Sequence, residues 1–279
     1  HRARGQGMSK VSERIEQIKT EQIGQTGKKV LLVEGTDDKD AYQIFLNKKF
    51  PGWEQTWTVA HMGNKKSVLS GLAQEPDWVG LVDRDEWTPK EQVSYKSQYQ
   101  KLQILPRFCL ESYLVNPAEL WQAFPAKQQA KVAGGEEAFR ATLLESLNAW
   151  IRHAALWHGV RPLWRQLRDA GFPDDVTMFP PVTDDDELRK FFGKWHNLLD
   201  AEKLLERVHA LEAQLIKMNV GEVCQNWLHA KEFYTRVVHE TLNRLLGVKS
   251  VKERRLAIFR TRPVPSDLDG VWQAMGLNP

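Results

Sequence analysis

A chain of 279 residues can hold one large domain or two modest ones, and its 42% hydrophobic and 27% charged residues are ordinary for a globular protein with a real core. No apolar run approaches the ~20 residues of a membrane-spanning helix, so no membrane partner is expected, and two cysteines, Cys109 and Cys224, are too few for a disulfide framework. A net charge of +3 does not announce a polyanionic partner, so any basic surface must be local.

His1–Gly7 lacks the apolar core of a secretory signal and reads as an expression remnant ahead of a native start at Met8. Reduced thiols in a cytoplasmic protein are the expectation. Ser9–Ile23 carries Val11, Ile15 and Ile18 at helical spacing. Val30-Leu31-Leu32-Val33 is an unbroken β-favouring run, typical of a strand buried on both faces. Thr36-Asp37-Asp38 has helix-start chemistry, with Asp37 read as the cap, and a helix through about Lys48 follows with Ala41, Ile44 and Phe45 on one face. Trp57–Ala60 predicts a second strand, Gly63-Asn64 a turn and Lys65–Ala73 a helix. Trp78–Val82 predicts a third strand and Gln103–Leu105 a short fourth, cut off by Pro106. Strand–helix–strand alternation with short connections implies parallel strands. Beyond Asn116 the pattern turns helical over Glu137–His153, Leu188–Leu199, Ala201–Lys217 and Ala230–Leu246, with Gly247 as a C′ residue and an irregular, proline-rich connection over Gly171–Pro181. The expected organisation is an α/β domain over 8–116, with a mostly parallel sheet flanked by helices, followed by an α-helical domain over 117–279.

Two places carry chemistry. In Val33-Glu34-Gly35-Thr36-Asp37-Asp38 a carboxylate ends a buried strand, and in Leu81-Val82-Asp83-Arg84-Asp85 two aspartates end another. Ligands of open parallel sheets gather at the carboxyl ends of the strands. If the two strands are neighbours, Glu34, Asp83 and Asp85 converge there, and Asp38, on the first helical turn, can point to the same edge. Two unit charges ~4 Å apart repel by about 4 kcal/mol at a dielectric of about 20, so such a group demands a counter-ion or raised pKa values. Oxygen-only donors favour Mg²⁺, with Mn²⁺ as substitute. The ion would polarise a phosphodiester.

Val-Glu-Gly-x-x-Asp after a strand, with a second strand ending in Asp-x-Asp, resembles the Toprim fold of topoisomerases, primases, maturation ribonucleases and OLD-family nucleases. With the turn at Gly63 and Leu110-Glu111-Ser112-Tyr113-Leu114, the stretch Lys28–Asn116 resembles the DUF4435 branch, which includes Toprim effector subunits of PARIS anti-phage systems. At the last segment this chain has Ser112 where that branch often has Asn. The resemblance implies a toxic, metal-dependent endonuclease that cleaves RNA, tRNA first, or else DNA, beside an ABC-type ATPase and with a homodimer as an option. It implies Glu34 as metal ligand or general base, Asp83 and Asp85 as ligands, Asp38 as ligand of a second metal and Glu111 as an adjacent acid or ligand. OLD-type nucleases also use a lysine from outside the strands, and Lys231 is the candidate. The alternative is a non-catalytic Toprim module that docks and regulates the ATPase. Asp83-Arg84-Asp85-Glu86-Trp87-Thr88 departs from the haloacid-dehalogenase pattern in the spacing of its threonine, and a phospho-receiver domain would need a fifth strand.

Outside these motifs, Lys249, Lys252, Arg254, Arg255, Arg260 and Arg262 form a basic cluster containing one acid, Glu253. It suits nucleic-acid phosphates, a solvated face or an acidic partner. Among the 11 tryptophans, Trp150, Trp157 and Trp164 recur every seventh residue and read as core or interface. Asp184–Glu187 reads as a helix cap. The eight histidines include no metal-spaced pair, which argues against zinc.

Overall fold

The computed structural model describes residues 9–178 and 183–278; the segment read as an expression remnant, and Pro180 and Pro181 of the proline-rich connection, lie outside them. Val30, Leu31, Leu32 and Val33 are all shielded from solvent in strand β1, Lys29–Val33. Four consecutive buried side chains require cover on both faces of the sheet, since successive residues point to opposite sides. β1 is central. It pairs with β2 (Trp57–His61) on one side and β3 (Val79–Val82) on the other, and β3 pairs with β4 (Leu102–Ile104). All pairings are parallel, in the order β2-β1-β3-β4. The chain is thus an α/β protein with an all-parallel sheet and a helical C-terminal region, consistent with the Toprim-like arrangement.

Helices α1 (Lys10–Ile18), α2 (Thr36–Lys49), α3 (Lys65–Gln74) and α4 (Pro89–Gln98) supply the cover. Ile15 and Ile18 of α1 and Val68 and Leu72 of α3 pack with Val30, Leu32, Ala60 and Val82 in one core, edged by Tyr95 of α4. α3 lies close to the sheet because two glycines leave room. A Cβ on Gly80 would meet Leu72 Cδ1 at 2.7 Å, and one on Gly71 would meet Leu32 Cδ1 at 2.9 Å. A second core holds α2, whose Ala41, Tyr42, Phe45 and Leu46 are buried while Ile44 is half-buried. Phe45 meets Phe259 edge-on at 5.4 Å, from the helix Val251–Thr261.

That contact corrects the expected boundary at Asn116. The compact units are residues up to Leu143 together with those from Ala230 onward, and, separately, Leu144–His229. The last fifty residues return to the sheet because they carry its second cover. Arg262 donates to the Tyr113 carbonyl and pairs with Glu119 at 3.2 Å, while Glu119 also holds Arg107 at 2.8 Å.

The other unit is helical. Leu147–Val160 packs against Ala201–Ile216, with Gly159 facing Val208. Trp195 stands edge-on to Phe172, as the packing role expected for the tryptophans requires, whereas Trp164 is 58% exposed. Asp184 caps its helix by accepting from the Asp186 and Glu187 amides. The single helix expected over Glu137–His153 is two, Gly135–Leu144 and Leu147–Val160, because the chain leaves helical geometry at Ser146. Among the described residues no helix is long and apolar enough to cross a membrane.

Candidate metal centre

From β1 the chain goes outward to β2, then crosses back to β3, so the direction of winding reverses between β1 and β3. The crossovers there diverge and leave a crevice at the carboxyl ends of these two strands. Glu34 follows β1, and Asp83 follows β3. Glu34 Oε1 accepts from the Asp83 amide at 2.8 Å, which ties the two strand ends together. Asp83 is 6% exposed and its Oδ1 accepts from the Leu110 amide at 3.1 Å. Asp85 has φ 47, the left-handed region, and its amide donates to the Phe108 carbonyl at 2.8 Å. Aspartate is one of the few side chains that tolerate this conformation. The outcome is that carboxylate oxygens of Glu34, Asp83 and Asp85 lie within 4.8 Å of one another.

Two further acids border the trio. Asp38 sits in the first turn of α2 and its Oδ2 accepts from the Gly35 amide at 2.7 Å. The capping role read for Asp37 therefore belongs to Asp38, three residues past the cap position, while Asp37 forms an ion pair with Arg255. Glu111 lies in the turn Leu110–Leu114, 7% exposed. Its Oε1 accepts from Arg255 Nη1 at 2.9 Å, and its Oε2 is buried with no hydrogen-bond partner.

Two ammonium groups approach the trio. Lys231 Nζ stands 3.4 Å from Asp83 Oδ2 with its side chain half exposed. It comes from a helix spanning Ala230–Leu246 that widens into a π turn over Tyr234–His239 and packs on the Leu110–Leu114 turn. Lys65, the first residue of α3, was not anticipated from the sequence. Its Nζ is 2.6 Å from Asp85 Oδ2 and 4.4 Å from the centre of the Trp87 ring. The signal was available, because β2 runs parallel to its neighbours and must end at the same rim.

The electrostatics follow from this crowding. Burial, then the charge of Asp38, pushes the Asp83 carboxyl well above the usual carboxylate range. Burial raises Asp38 to about 6, against the Gly35 hydrogen bond and with help from Glu111 and Glu34. Glu34 is raised by burial, tempered by Lys65 and by the Asp83 amide. Burial works against the charge of Lys231, but Asp83 and Glu111 outweigh it and hold the ammonium protonated. Among the described residues, and even counting Arg255, which is shared with Asp37, three cations face the five carboxylates of residues 34, 38, 83, 85 and 111. The deficit suits a divalent ion. The donors are all carboxylate oxygens, matching hard Mg²⁺ or Mn²⁺ rather than a softer metal, and the orphaned Glu111 oxygen is a further donor at the edge of the set.

The basic cluster near the C-terminus does not form the surface its composition suggested. Arg254 is 4% exposed and donates to Asn243 Oδ1 at 3.2 Å and to the Gly247 carbonyl. Arg262 is likewise buried against Tyr113 and Glu119. Arg255 is enclosed between Asp37 and Glu111. Only Lys249, Lys252 and Arg260 face solvent, and Lys252 pairs with Asp40 at 2.9 Å. Arg255 and Arg262 turn inward because acids far away in the chain, Asp37, Glu111 and Glu119, face this segment across the fold, whereas Arg254 is held locally by Asn243 and Gly247. No known protein-family model matches this chain, and no curated protein matches it.

Proposed function

We propose that the chain is a Mg²⁺-dependent nuclease of the Toprim type. The carrying observation is the convergence of Glu34, Asp83 and Asp85 at the β1/β3 crevice, within 4.8 Å of one another. Lys231 beside Asp83 adds to it. Glu34, Asp83 and Asp85 would hold the ion, with Asp38 and Glu111 as donors for a second one. Bound there, Mg²⁺ or Mn²⁺ supplies positive charge to a phosphodiester and to its leaving oxygen. The chain's own groups do the rest. Where Glu34 does not itself hold the ion, it is the general base that accepts a proton from an attacking water. Lys231, held in the charged form, balances negative charge gathering on the phosphate.

Resemblance to the DUF4435 branch extends the proposal to a biological role. The substrate is RNA, with tRNA first, the setting is phage defence, and an ABC-type ATPase is the partner. Labelled tRNA and plasmid DNA, each incubated with the protein in Mg²⁺, Mn²⁺ or EDTA, test the reading. Cleavage that needs the metal and disappears in Glu34→Gln is the expected result. Absence of metal-dependent cleavage, alone and with the ATPase present, would overturn it in favour of a docking module. In cells, expression should slow growth and Glu34→Ala should relieve it.

A further inference from the structure

Lys65 has no role in the reaction outlined above, yet it is held closer to the Glu34, Asp83 and Asp85 trio than Lys231 is. Its side chain is 17% exposed, its ammonium lies 2.6 Å from Asp85, and it is the strongest charge acting on Glu34. It also rests 4.4 Å from the centre of the Trp87 ring, which is stacked on Tyr95 at 4.2 Å. Asp85 is one of the three carboxylates that would hold the ion. A divalent ion on Asp85 and an ammonium at 2.6 Å from the same carboxylate compete for one charge, and like charges so close repel.

The start of α3 gives a second, independent sign. Lys65 and Lys66 open this helix, and its first turn has no acid, whereas α2 and α4 both open with acids. Basic residues at the amino end oppose the helix dipole, which favours an anion there. The neighbouring acids show the opposite shortage, since Glu111 Oε2 is buried without a partner. The first turn of α3 thus holds no acid of its own, while Glu111 keeps one oxygen without a hydrogen-bond partner.

We propose that Lys65 is a resident counter-charge for Asp85 that a divalent ion displaces, and that the freed ammonium then binds a phosphate of the nucleic-acid strand. Metal loading and strand binding are thereby coupled, each favouring the other. The inference rests on the metal-centre reading and adds the residue that links metal to substrate.

Two measurements on the full chain test it. In the first, Mn²⁺ alone is titrated calorimetrically into the unmodified protein, Glu34→Gln and Lys65→Met. Removing the competing ammonium should tighten Mn²⁺ binding by about threefold or more, the scale of a partly exposed ion pair. In the second, labelled single-stranded RNA and DNA are bound at several salt concentrations, with and without Ca²⁺ in place of the catalytic ion. With Ca²⁺, Lys65→Met should lower the slope of log affinity against log salt by about 0.7, one phosphate contact. Without Ca²⁺ the slopes should match, because Lys65 is engaged with Asp85. RNA and DNA should lose the same increment, and the tighter of the two names the substrate. Unchanged or weaker Mn²⁺ binding in Lys65→Met, or an unchanged slope with Ca²⁺, overturns the role of Lys65 while leaving the metal centre standing. Mn²⁺ binding that does not depend on Glu34 overturns the metal centre itself. Lys65→Gln serves if Lys65→Met fails to fold, and Lys65→Arg should restore the slope.

Discussion

Asp38→Asn removes one charge from the crowded rim and keeps its shape. The amide oxygen can still accept from the Gly35 amide, so the start of α2 is preserved. Raising that carboxyl from its ordinary 3.8 to about 6 corresponds to about 3 kcal/mol of destabilisation in the charged form, at about 1.4 kcal/mol per tenfold change in proton affinity. The sign follows from linkage. An acid that binds its proton more tightly in the folded state leaves stability untouched below 3.8 and lowers it as the pH rises through about 6. In EDTA, Asp38→Asn should therefore be more stable than the unmodified protein by about 3 kcal/mol at neutral pH, and the two should converge in acid. Excess Mn²⁺ should stabilise the unmodified protein by about 2.7 kcal/mol at a hundredfold over its Kd, so the gap should shrink. Mn²⁺ affinity itself should weaken as the pH falls through about 6, because protons and metal compete for the same oxygens. Urea unfolding followed by circular dichroism across this pH range, in EDTA and in Mn²⁺, reads all of these. If Asp38→Asn is no more stable at neutral pH in EDTA, or if its advantage persists in acid, the account of a charge-burdened rim is wrong.

Three further substitutions probe other parts of the structure. Lys231→Met removes a half-exposed pair and should change stability by less than about 1 kcal/mol, while single-turnover cleavage falls about a hundredfold; a rate near that of the unmodified protein would remove Lys231 from the chemistry. Arg255→Leu takes the guanidinium from Glu111, where both side chains are about a tenth exposed, and should cost about 3 kcal/mol in urea unfolding. Adding Glu111→Leu should recover part of that loss, and a double variant no better than the single one would show that the pair is not the cause. Gly80→Ala pushes a methyl group against Leu72 and Val68 and should destabilise by about 1–3 kcal/mol; Mn²⁺ affinity, which depends on the rim, should stay unchanged in the same calorimetric titration.

The sheet was legible where burial leaves a consecutive signature. Val30–Val33 and Val79–Val82 are apolar at every position because both of their faces are covered, and the acids that end them were visible at once. α4 was missed although Thr88-Pro89 and Glu91 form a capping box. It buries no residue fully, so it lacks the periodic apolar stripe that announces a helix. Lys65 was missed because β2 is not followed by an acid; past its end at His61 come a turn at Gly63 and the basic start of α3. The basic cluster misled for a different reason. Charge counted along the chain is blind to Asp37, Glu111 and Glu119, which meet Arg255 and Arg262 only after folding. The domain boundary was hidden because the segment from Ala230 onward has the same helical periodicity as the unit before it.

The return of the chain at Ala230 has a bearing on when the acidic rim receives its later cations. During synthesis the ribosome releases Glu34, Asp83, Asp85 and Glu111 first, and more than a hundred residues pass before Lys231 and Arg255 emerge. A nascent chain therefore carries the acids with Lys65 but without Lys231 and Arg255. The acidic rim therefore gains Lys231 and Arg255 only once the segment from Ala230 onward has been translated.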